Sequence, residues 1–231
     1  MRKRNFIKFI IVFLMFFLGG TAISILLISI GIKPKLFDAK DLNYYECLIE
    51  LIYALVIYVL YRCYFRADFK ELKSGFKSYI SDILKYFALF MAVKIVSSLV
   101  TTILGFIVGV EIGESENQNI IINLTSAAPI IMVISASILA PIVEEGIFRL
   151  SLRKIINNKY LFIIISGLVF GFMHVFPTDL SLTVALIYSV VYVTMGVYLA
   201  YVYVETDNIW IPIIVHALNN FIGMIAIIAI G

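Results

Sequence analysis

At 231 residues the chain is 62% hydrophobic and only 14% charged, with a mean hydropathy of +1.05. A soluble domain is about half apolar and a quarter charged, so this composition excludes one and marks a polytopic membrane protein. The net charge of +3 is spread over loops and gives no basic patch for nucleic acid.

A spanning helix needs about 20 mostly apolar residues. Seven segments qualify, approximately 6–32, 44–64, 79–110, 127–150, 160–177, 182–204 and 209–230. The fold class is therefore an all-α bundle of about seven transmembrane helices, with six spans plus a surface helix, or eight half-spans, as the alternative counts. The first segment follows Arg2-Lys3-Arg4 and is too long for a cleaved signal peptide, so it reads as an uncleaved span. The second carries Cys47 and Cys63 near its two ends. At 1.5 Å per residue they lie roughly 24 Å apart, beyond disulfide reach. The third holds Lys85 and Lys94 and reads as tilted or as starting at the interface, while 119–126 is either loop or an early start of the fourth. No repeat or low-complexity linker divides the chain, so one structural domain is expected.

Lys and Arg set the orientation. One side collects Arg2, Lys3, Arg4, Arg62, Arg66, Lys70, Lys73, Lys77, Arg149, Arg153, Lys154 and Lys159. The other has Lys33, Lys35, Lys40 and the acidic stretch Glu111 to Glu116. The N-terminus is expected in the cytoplasm and, with seven spans, the C-terminus outside.

Ionisable side chains are costly in hydrocarbon and rare there unless they work. In the fourth segment Ala136, Ala140 and Glu144 fall on one stripe whose small residues allow close helix approach, which turns Glu144 into the bundle. Pro141 removes a donor and frees the Ser137 carbonyl. Glu145 and Arg149 are i, i+4 and can pair, leaving Glu144 available for chemistry. The plainer alternative is that both glutamates mark the cytoplasmic end of the helix. In the fifth segment Gly167 and Gly171 form a small-xxx-small pair, and Phe170 lies one turn before His174 on the same face. That histidine can be a base, a hydrogen-bond donor, a metal ligand or a purely structural hydrogen-bonder. The last segment opens with Asp207 or Asn208 as a cap, Trp210 as an interface anchor and Pro212 in the first turn. His216 and Asn220, again i, i+4, project together. Two donors on one face suit a developing oxyanion, and equally an interhelical polar clamp. Counted along the helices, Glu144, His174 and His216 lie roughly 15, 21 and 9 Å inside the cytoplasmic boundary, so they can meet.

The order Glu144-Glu145-Gly146-Ile147-Phe148-Arg149, Phe170-Gly171-Phe172-Met173-His174 and His216-Ala217-Leu218-Asn219-Asn220 resembles the EExxxR, FxxxH and HxxxN pattern of the CPBP/Abi family. These are intramembrane proteases related to the type II CAAX prenyl endopeptidase. The resemblance covers about residues 127–225, which makes 127–231 the expected catalytic core and 1–126 a variable set of additional helices. It implies a glutamate-type endopeptidase in which Glu144 and His174 activate water, while His216 and Asn220 stabilise the oxyanion. Glu145, Arg149 and Phe170 would support the site. It implies no cofactor: two histidines and a carboxylate can hold zinc, but HExxH is absent and the ligands come from different helices. The expected substrate is a membrane-associated peptide or protein, lipidated or not, cut on the cytoplasmic side. The small size and Ile/Lys/Asn-rich usage fit a bacterial cell-membrane protein of peptide maturation or bacteriocin self-immunity. The alternatives are a non-catalytic membrane protein that binds a peptide or partner, and a proton-coupled transporter, for which no internal symmetry speaks.

Overall fold

The computed structural model describes residues 2–32, 38–113, 115–175 and 180–230, without the side chains of Arg2, Glu116 and Ile230. Lys33 and Lys35 of the orientation argument, and the last two residues of the expected fifth segment, lie outside that range.

The described residues are helical, without strands. In chain order they form α1 (Arg2–Ser29), α2 (Ala39–Ser74), α3 (Phe76–Val108) and α4 (Glu116–Ala127). A fourth long helix follows over Pro129–Ser151, made of α5 (Pro129–Ile134), a π turn (Ser135–Leu139), α6 (Ala140–Glu145) and a second π turn (Gly146–Ser151). Then come α7 (Lys159–Met173), α8 (Leu182–Thr206) and α9 (Trp210–Ile230). Six of these helices are long and apolar enough to cross a bilayer, and α7, at 15 residues, is a shorter apolar one. The all-α polytopic class is thus observed. The short α7 is no surface helix, because Phe162, Ser166, Gly167, Phe170 and Gly171 are all buried.

The segment 119–126 belongs to neither of its expected neighbours. It sits in α4, capped by Ser115, whose hydroxyl accepts from the Gln118 N–H, and is broken from α5 at Ala128 (φ −150°, ψ 73°). Helix α2 runs ten residues past the apolar stretch, to Ser74, because its polar end remains helical. There the Asp68 carboxylate accepts from the Ile209 N–H, and the Asp68 carbonyl accepts from Asn208 Nδ2. Trp210 Nε1 donates to the Phe65 carbonyl. These bonds fix the α8–α9 turn on α2, and Asn208 is the residue that caps α9, its Oδ1 accepting from the Trp210 N–H at 3.1 Å.

Small residues set the spacing of the inner helices. A Cβ on Gly167 would lie 2.2 Å from Val197 Cγ2, and one on Gly171 would lie 2.2 Å from Val193 Cγ2 and 2.5 Å from the Val193 nitrogen. Helices α7 and α8 therefore touch backbone to backbone along the expected glycine pair. Gly146 makes room for a side chain of α2, where a Cβ would meet Ile57 Cγ2 at 2.6 Å.

Candidate active site

The irregular fourth span brings two carboxylates to the centre of the bundle. Pro141 has no N–H, so an unbroken α-helical ladder cannot pass it. Upstream, the chain adopts the wider turn in which the Ala140 N–H bonds the Ser135 carbonyl five residues back. Such π turns recur where a helix must re-aim side chains. The stripe expected from the sequence survives this change: Ala136, Ala140 and Glu144 all line one cavity of about 360 Å³.

That cavity also receives Phe170 and His174 from the end of α7, and His216 and Asn220 from α9. All four residues expected to carry chemistry thus face one chamber. Glu145 turns the other way. It is fully buried, with Oε2 3.0 Å from Arg149 Nε, and Oε1 2.9 Å from His216 Nδ1. The i, i+4 pair expected from spacing is present as a close ionic contact without hydrogen-bond alignment. Arg149 Nη2 donates to the Gly196 carbonyl at 3.2 Å, and its guanidinium lies over the Phe170 ring, 4.6 Å from the centroid. Phe170 is accordingly a shared wall: its ring is 4.5 Å from that of His174 and 5.9 Å from that of His216.

Partner chemistry fixes the ring nitrogens. His174 Nδ1 lies 2.8 Å from the Phe170 carbonyl, which can only accept, so Nδ1 carries a proton and Nε2 of the neutral ring holds the lone pair. Tyr192 stacks on this ring at 4.9 Å and 13°. His216 donates Nδ1–H to the Glu145 carboxylate and presents Nε2 toward Glu144 Oε2, 3.9 Å away. That Glu144 oxygen is buried and accepts no hydrogen bond from the described residues.

Asn220 is held by a chain whose polarity is set at both ends. Lys94 Nζ, a pure donor, bonds Asn219 Oδ1 at 3.0 Å, so Asn219 Nδ2 faces onward and donates to Asn220 Oδ1 at 2.9 Å. Asn220 Nδ2 then donates to the Ala136 carbonyl, a pure acceptor, at 2.8 Å. The amide orientations follow from this alternation, and Asn220 keeps its second Nδ2–H for the chamber.

Sequence reasoning assigned no role to Lys94, Asn219 or Glu50, all of which line the chamber. Glu50 accepts a hydrogen bond from Ser135 Oγ. The signal was there, since Glu50 and Lys94 are ionisable residues inside apolar runs, as the histidines are. Among the described residues, no three His, Cys, Asp or Glu side chains are grouped to hold one metal ion. Cys47 and Cys63 are both free thiols on α2.

Comparison with known proteins locates the same region. Residues 126–222 match the family described as "Type II CAAX prenyl endopeptidase Rce1-like". Over 110 residues the chain is 34% identical to the Bacillus subtilis (strain 168) protein named "Putative membrane peptidase YdiL". The alignment covers 46% of this chain and 41% of that one, so the chain spans less than half the length of this curated relative. No solved structure matches.

Proposed function

We propose that the chain, whose residues 126–222 match the Rce1-like family of type II CAAX prenyl endopeptidases, is a membrane-embedded endopeptidase with a Glu/His-activated water. The observation that carries this reading is the convergence of Glu144, His174, His216 and Asn220, from three separate spans, on one chamber.

In the proposed reaction a water bound between Glu144 and His174 Nε2 attacks the peptide carbonyl carbon. Its proton passes to the Glu144 carboxylate. The carbonyl oxygen becomes an oxyanion, held by the Nε2–H of protonated His216 and by the second N–H of Asn220. Glu144 then delivers the proton to the amide nitrogen, the C–N bond breaks, and a new carboxyl and a new amine leave. Hydrogen-bond partners support the division of labour between the histidines. His216 is tied through Nδ1 to the buried Glu145–Arg149 pair and turns Nε2 into the chamber. His174, set against a carbonyl and two aromatic rings, turns its other ring nitrogen to the water. No step in this scheme calls on a metal, and the substrate is a membrane-associated peptide or protein. Peptide maturation and self-immunity to a bacteriocin are the physiological settings it fits.

The test is cleavage of quenched fluorescent peptides, lipidated and plain, by the purified protein. Glu144→Gln should lower kcat by about 10²–10⁴-fold, the span of general acid–base catalysis, without loss of membrane abundance. Wild-type turnover should survive a zinc chelator. Full biological activity of Glu144→Gln in cells would replace the peptidase with a binding protein, and chelator-sensitive turnover restored by zinc would replace the metal-free mechanism.

A further inference from the structure

The chamber is tightly packed toward one end of the bundle and polar at the other. Toward the basic end, Phe90, Ile147, Leu199 and Val215, each about one turn or less from a chamber residue, and Ile57 and Phe162, about two turns on, are each 0% exposed. With the buried Glu145–Arg149–His216 cluster, they make a packed apolar floor on that side. At the opposite end, Asn117 and Gln118 of α4 and Gly223 and Met224 of α9 line the chamber. There it shares Gln118, Val191 and Tyr192 with a second cavity of about 300 Å³. That second cavity has hydroxyls and amides on its walls, from Ser98, Thr101, Ser115 and Tyr188 among others. Ser115 and Tyr192 hydroxyls are 2.8 Å apart, and Tyr188 OH donates to the Gly113 carbonyl, which ties Gly113 and Ser115 to α8.

The two ends of the bundle differ in charge. The floor end carries the basic segments at the start of α1, at the α2–α3 junction and around Arg153 to Lys159. Among the described residues, the vestibule end has Lys40 and, in the α3–α4 connection, Glu111, with α4 starting there at Glu116. Lys and Arg concentrate on the cytoplasmic side of membrane proteins. We infer that the vestibule and the chamber behind it open on the extracytoplasmic face, so that the substrate is a peptide segment presented outside the membrane, not at the cytoplasmic face expected from the sequence. The neutral hydroxyl lining fits an extended main chain, whose N–H and C=O groups need partners once withdrawn from water. The substrate assignment rests on the peptidase reading above; the direction of opening does not.

Cysteine accessibility tests the direction without any need for turnover. In a Cys47→Ala, Cys63→Ala background, single cysteines are placed at Gly113 in the vestibule, Gly223 in the chamber and Asn157 at the basic end. A Cβ at either glycine would meet no atom within 4 Å, and Asn157 is exposed. Membrane vesicles of both orientations are treated with a membrane-impermeant, cationic methanethiosulfonate. Gly113→Cys and Gly223→Cys should react in right-side-out vesicles and be protected in inverted ones, with Asn157→Cys the reverse. Reaction of Gly223→Cys only in inverted vesicles overturns the inference. So does protection of Gly223→Cys on both sides while Gly113→Cys reacts, because the chamber would then have no aqueous route through the vestibule. An impermeant peptide substrate should be cleaved by right-side-out vesicles alone. If labelling follows the expected pattern and no peptide is ever cut, the peptidase reading fails and the direction of opening stands.

Discussion

The cluster of Glu145, Arg149 and His216 shows how one residue can serve a site without facing it. Glu145 is fully buried and holds a guanidinium with one oxygen and an imidazole with the other. Removing Arg149 would take the guanidinium from that carboxylate and leave it only the imidazole, and breaking a buried pair from one side costs about 3–5 kcal/mol. Arg149→Met should therefore lower the melting temperature in detergent sharply. Arg149→Lys should recover only part of the loss, since an ammonium cannot also reach the Gly196 carbonyl and spread over Phe170. Equal stability of Arg149→Met and wild type would show that the pair holds nothing together. Of this cluster, only the Glu145–Arg149 contact was legible in the sequence, because i, i+4 spacing on one helix is a local property. The Glu145–His216 bond joins α6 to α9, and no spacing rule reaches across that distance.

At the scale of elements, the glycine pair of α7 was legible for the same reason, and it can be tested on its own. Gly171→Ala drives a methyl into Val193, including its backbone nitrogen, so α7 must move away from α8. Overpacking of this kind costs about 1–3 kcal/mol, and it displaces His174 three residues on. The expected outcome is lower thermal stability and lower turnover together. Adding Val193→Ala should restore little, because the backbone clash remains. Full recovery in the double variant would mean that only side chains limit the approach. The π turns were not legible. Pro141 marked the place, but whether a helix answers a missing donor by kinking or by widening depends on neighbours such as Ile57 against Gly146. The separation of α4 from α5 was hidden likewise, since the Ala128 break carries no Gly or Pro of its own, although Pro129 follows it.

At the scale of the whole molecule, the matched segment 126–222 does not build the chamber alone. Glu50 comes from α2 and Lys94 from α3. Lys94 sets the direction of the Asn219–Asn220 chain, so in the proposed mechanism its loss should act on the Asn220 donor assigned to the oxyanion rather than on substrate binding. Lys94→Met and Asn219→Asp should each lower kcat by about tenfold, the scale of one charged hydrogen bond, with KM little changed. A rise in KM at constant kcat would assign Lys94 to binding instead. The first helices contribute to the site because membrane bundles pack every span against its neighbours, whereas sequence motifs report only the stretch that carries them. The packed floor under Glu144 and His216 has an electrical consequence as well. With the extracytoplasmic opening inferred above, the vestibule would carry water and the six buried apolar side chains would not, so the membrane potential would fall across the floor rather than across the chamber. The groups proposed to react would then sit at the voltage and the proton activity of the compartment the vestibule faces. Acidifying that compartment alone should retune the chemistry, while collapsing the membrane potential should leave it untouched.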